Sequence, residues 1–151
     1  MVDIKRLQDY LQEIKDKVPA ITITYLVIDD SQITELMKEV KDRDMVLLAL
    51  VPSHGLEGAH EDNVRSKDLM AFLVMHKADR KMKHVDFIDN LHKCQLAGKE
   101  IVNKLILDKP DFEDGCSIIN MLEVPSIKMD PVWQLAGADG YQIDYFLYSK
   151  L

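Results

Sequence analysis

The sequence predicts an α+β domain: a mixed, mainly antiparallel sheet with helices packed on one face. Three observations lead there. The stretch from Val85 to Asp108, VDFIDNLHKCQLAGKEIVNKLILD, holds the longest run with a single helical period. Two short, continuously apolar runs, MVLLALV from Met45 and LMAFLVM from Leu69, have the length and composition of covered strands. The chain then closes on YQIDYFLY, Tyr141 to Tyr148, where an apolar set alternates with a mixed polar one, as in a strand with one wet face.

Composition sets the outer limits. With 151 residues the chain fits one domain, 1–151, and 47% hydrophobic with 30% charged residues is ordinary for a chain that folds on its own. No apolar run approaches the roughly 20 residues that cross a bilayer, and MVDIKRLQDYLQEIK lacks an apolar signal core, so a cytoplasmic protein without membrane partners is expected. A formal charge of −7 opposes wrapping a phosphate backbone. The one basic cluster, His76 to His84, has no aromatic residue to stack on a base and reads as a solvated strand-to-helix connection, so nucleic acid is not an expected partner.

In chain order, Ile4, Leu7, Leu11, Ile14 and Val18 form the stripe of an amphipathic first helix ended by Pro19. Ile21 to Ile28, rich in β-branched and aromatic residues, reads as the first strand. Ser31 is a suitable N-cap for a second helix whose stripe is Ile33, Leu36, Met37 and Val40. Met45 to Val51 reads as a strand covered on both faces. Pro52 to Ser66, with two glycines and no periodicity, is expected to be a long loop, and Leu69 to Met75 the next strand.

The long helix follows, with Phe87, Leu91, Cys94, Gly98, Ile101 and Leu105 as its stripe, widened by Ile88, Val102 and Ile106. Asp86 is its expected N-cap and Lys109-Pro110 its stop. A mid-helix glycine costs about 1 kcal/mol against alanine, so Gly98 is expected to admit another backbone. Ser117 to Val124 reads as a fourth strand, Met129 to Gly140 as an irregular excursion and Tyr141 to Tyr148 as the last strand. After the first helix, the middle of this series has the β-α-β-β-α-β order of ferredoxin-like domains, with an extra N-terminal helix and C-terminal strand.

Catalytic signatures are missing. His54, His60, Glu61 and Asp62 are of metal-ligating types, but no His-x3-His or Cys-x2-Cys spacing accompanies them, so no metal is expected. His76, His84 and His92 read as surface or boundary residues, and Cys94 and Cys116 as buried reduced thiols. No G-x-G-x-x-G, no G-x4-G-K-[ST] and no G-x-S-x-G occurs, and Ser53-His54 are sequence neighbours whose side chains diverge. The pairs Asp29-Asp30 and Glu61-Asp62 read as caps and solubilising charges. The expectation is a non-enzymatic protein with no catalytic residue and no cofactor.

The aromatic tail is the more informative stretch. Trp133, Tyr141, Tyr145, Phe146 and Tyr148 lie within sixteen residues of one another in a chain that is 7% aromatic, and Trp and Tyr are enriched at interface centres. Trp133, Tyr141, Phe146 and Tyr148 are the candidate interface residues. The order of elements, the FIDNLHKCQLAGKEIVNKLILD helix and the closing PVWQLAGADGYQIDYFLY resemble small tail-completion, or tail-terminator-like, proteins of bacterial prophages, which often open a last amphipathic strand with a Gly-aromatic pair, here Gly140-Tyr141. Many relatives carry tryptophan where Tyr141 stands. The resemblance implies a structural subunit that forms a homo-oligomer or joins other tail-assembly proteins, virion-associated, with no catalytic residues. The alternative is a dimeric ferredoxin-like module that binds a small ligand or regulates, with the ligand held against residues 52–66.

Overall fold

The computed structural model describes residues 1–58, 60, 63–79, 81–109, 118–119 and 121–150. Helix α1 (Ile4–Lys17) starts at Asp3, whose carboxylate accepts the Arg6 N–H at 3.0 Å. Its Leu7, Tyr10, Leu11 and Ile14 are buried while Ile4, at the exposed end of the stripe, is not. Strand β1 (Ile23–Val27), helix α2 (Asp30–Glu39) and strand β2 (Met45–Leu50) follow, and β1 pairs with β2 in parallel, Ile23 beside Val46 through Val27 beside Leu50. The cap of α2 is Asp29, which accepts the Gln32 N–H at 3.0 Å; Ser31 lies inside the first turn.

Strand β3 (Ser53–Glu57) and the start of β4 (Arg65–Lys77) take up much of the expected 52–66 loop, and β4 extends the expected 69–75 strand at both ends. β2 and β3 lie end to end along β4: Met45–Ala49 oppose His76–Phe72, and Ser53–Glu57 oppose Leu69–Arg65. The line breaks at Val51-Pro52, where the Val51 N–H turns to the Val27 carbonyl at 2.8 Å. SHGLE gave no strand signal because hydrophobic alternation reports burial, and all five of its residues are exposed.

Helix α3 (His84–Leu107) is the helix that the periodicity predicts, although its N-cap is Lys83 and Asp86 falls in the first turn. The expected fourth strand is not formed by the described part of 117–124: Leu122 makes an isolated bridge to Leu147, and Val124–Ser126 is a 3₁₀ turn with Pro125 in it. Residues 129–140 are ordered instead as a hairpin of β5 (Lys128–Leu135) and β6 (Ala138–Lys150). Its two-residue turn has positive φ at Ala136 (52°) and Gly137 (77°), the pattern that matches the twist of paired strands. A register shift between Val132 and Leu135 goes with a positive φ at Gln134, whose N–H donates to Asp139 at 2.7 Å.

The sheet runs β1-β2-β4-β6-β5, with β3 beside β4; among the described strands only β1 and β2 are parallel. The mixed, mostly antiparallel α+β class is the expected one, but the strand order is not that of a split βαβ, since β1 and β2 pair directly. α1 and α3 share one face, packing Leu11, Ile14, Ile101 and Leu105 on Leu47, Phe72, Ile143 and Tyr145. α2 lies on the opposite face, with Ile33 and Met37 over Val46, Leu48, Leu73 and Met75. Cover on both faces is what the uninterrupted apolar sequence of β2 requires.

Two glycines allow close packing. At Gly98 the neighbour is the Met129 side chain, whose Cε would lie 2.8 Å from an added Cβ, rather than another backbone. At Gly140 a Cβ would run into the Val74 carbonyl of β4, so β6 can pass this point only without a side chain. Tyr10 ties α1 to the end of α3 by donating to Asp108 at 2.8 Å, and Lys104 donates to the same carboxylate oxygen at 2.6 Å. Among the described residues no helix is long and apolar enough to cross a membrane.

Candidate interaction site

The site lies where β3, the first half of β4 and the last third of β6 run side by side. Alternation along β4 sends Ser66 and Asp68 to the face of α1 and α3, and Lys67 and Leu69 to the opposite face. The cross-strand partners of Lys67 and Leu69 on β6 are Tyr148 and Phe146. The cluster under α2 takes Leu73 and Met75 from β4 and Ala138 from β6, and nothing from 65–71 or 142–148. Among the described residues, this part of the face carries no helix.

The uncovered residues form an apolar patch around one cation. Leu69 is 42% exposed, and the Phe146 and Tyr148 rings are half-buried beside it. Lys67 Nζ sits 4.5 Å from the Phe146 ring centroid and 5.5 Å from that of Tyr148, within cation–π range. Its pKa is raised, first by Tyr148 beside it and then by the charge of Glu57, whose Oε2 is 3.6 Å away. The arrangement offers aromatic and aliphatic area with a fixed charge at its centre.

On the inner face of the same strands lies a buried polar cluster. Asp68 is fully buried, accepts Ser66 Oγ–H at 2.6 Å and the Val2 N–H at 2.9 Å, and pairs with His54 Nδ1 at 2.7 Å. The Met1 amino group lies 3.8 Å from Asp68 and donates to Ser149 Oγ. Burial pushes the Asp68 carboxyl up, but the hydrogen bonds from Ser66 and His54, with the neighbouring positive charge, outweigh it and hold the pKa below the usual range. Ser66 bonds to the same carboxylate oxygen as the ring, so the three residues do not form a nucleophile–base–orienter relay. Among the described residues no three His, Cys, Asp or Glu side chains group as a metal site; Glu61 and Asp62 lie outside those residues.

The four candidate interface residues fall in three places. Phe146 and Tyr148 are on the uncovered face. Tyr141 is on the other face, packed against the core under α1 and α3. Trp133 is 73% exposed near the β5–β6 turn. About eight residues of strand, or roughly 27 Å, separate that turn from Phe146. Lys67 and Leu69 were missed because the β4–β6 register sets them beside Tyr148 and Phe146, and the Asp68–His54 pair because it depends on β3, which the sequence hid. The buried Cys94 behaves as expected of a packing residue: burial pushes its thiol up to about 12. Cys116 lies outside the described residues.

Compared with known proteins, the chain matches no family model, and no curated protein or solved structure shows significant similarity to it.

Proposed function

We propose that this is a non-enzymatic assembly subunit that associates with further copies of itself through the uncovered face of β4 and β6. The observation that carries the reading is the exposed Leu69 set beside Phe146 and Tyr148 around Lys67, on a sheet face that is covered by α2 elsewhere. Tyrosine is enriched among the residues that dominate interface energetics, and aromatic residues in general are enriched at interface cores. A contact of this kind between different surfaces of two copies closes into a ring when the rotation allows it. The resemblance to phage tail-completion proteins supports a ring at a tail end or head–tail junction as the setting.

Sedimentation velocity over a wide concentration range, on wild type and Leu69→Asp, tests the proposal. Wild type is expected to associate as concentration rises, and the variant to remain monomeric with an unchanged unfolding curve. A wild type that is monomeric throughout, or a variant that associates as wild type does, contradicts it.

A further inference from the structure

The geometry points to β3 being a releasable strap: a strand that leaves the edge of β4 as a unit while the rest of the sheet stays folded, with the His54–Asp68 pair as its latch. β2 and β3 lie on one line beside β4 but are held by different forces. Met45 to Ala49 of β2 are all buried. All five β3 residues are exposed, Leu56 at 69%, and none belongs to either core cluster. Local opening is least costly where few apolar contacts are buried and the backbone hydrogen bonds lie near water, so the two segments sit at opposite ends of the stability range.

Among the described residues, what retains β3 is its ladder to β4 and two side-chain contacts. Glu57 to Lys67, at 3.6 Å, is exposed and contributes little. His54 to Asp68, at 2.7 Å, ends on a fully buried carboxylate and is the stronger. Asp68 also limits the cost of release: when the strap leaves, the carboxylate keeps Ser66 Oγ–H and the Val2 N–H and gains water. The hinge is prepared at its amino end, since the Val51 N–H already bonds to β1 and Pro52 has no N–H to give. Opening therefore stops short of β2. Release bares the backbone groups of β4 between Arg65 and Leu69 that now pair with β3.

Amide hydrogen exchange of the intact chain, read by mass spectrometry with and without low urea, tests the strap. It is run at a concentration low enough to keep copies apart, so the outcome does not depend on the association proposed above. Residues 53–57 are expected to exchange far faster than 45–49, at a rate that low urea leaves unchanged. His54→Ala is expected to speed exchange in 53–57 by about tenfold to a hundredfold, the loss of one charge-assisted bond, without affecting 45–49 or 143–147. Glu57→Ala, the control for a general weakening of the edge, is expected to change it much less. Protection of β3 equal to that of β2, acceleration of all segments alike by His54→Ala, or no acceleration at all would overturn the proposal.

Discussion

The two halves of β4 are one strand under different cover. From Met70 to Met75 only Ala71 is less than buried, and the residues alternate between a core under α1 and α3 and a core under α2. From Arg65 to Leu69 the same strand buries a serine and an aspartate on one side and presents a lysine and a leucine to solvent on the other. One ladder of hydrogen bonds to β6 runs through both. Backbone pairing is therefore common to the two halves, and what distinguishes them is whether a helix lies on each face. The covered half is packed into both cores, and the uncovered half leaves Lys67 and Leu69 open to solvent.

The largest expected effect belongs to the covered half. Phe72 is fully buried and meets Tyr145 edge-on at 5.4 Å between ring centroids. Phe72→Ala is expected to cost about 3–5 kcal/mol in urea denaturation, without exposing a new binding face. A loss below about 1 kcal/mol would show that this half is not the centre of the core.

Asp68→Asn probes the other half and is expected to cost less, about 1.5–3 kcal/mol, since it removes the charge from the hydrogen bonds of a buried acceptor. The pH dependence has a definite sign. The folded pKa of Asp68 is lowered, so its contribution is complete above the unfolded value of about 3.9 and is lost as pH falls through the folded value. The stability difference between wild type and variant should therefore shrink in acid. A difference that stayed constant from neutral pH down to strong acid would mean that Asp68 acts by shape alone.

The smallest expected effect has the opposite sign. Tyr145 is fully buried, its hydroxyl has no hydrogen-bond partner among the described residues, and burial pushes its pKa well up. Tyr145→Phe removes an unsatisfied polar group and is expected to raise stability by about 1 kcal/mol. Destabilisation by that variant would reveal a partner for the hydroxyl, such as a bound water.

This contrast also explains how far the sequence could be read. α1, α3, β2 and the covered half of β4 were legible because burial imposes a period, and the stripe through Ile101 and Leu105 gave α3 to within a residue of its ends. β3 was illegible because nothing in it is buried. The β5–β6 hairpin was hidden for a local reason: Ala136 occupies a positive-φ position where Asn, Asp or Gly is usual. Of the site, Phe146 and Tyr148 could be named from the strand alternation. Their neighbours Lys67 and Leu69 depend on a register that one sequence does not supply, and Tyr141 shows the reverse, an aromatic of the same tail that the alternation turns into the core.

Hydroxyl-radical footprinting as a function of protein concentration tests most directly the claim that the uncovered half is the contact surface. Oxidation of Leu69, Phe146 and Tyr148 should fall together as concentration rises, while Phe72 and Tyr145 stay protected at every concentration. Uniform oxidation of the three at all concentrations, or protection confined to Trp133, would contradict it.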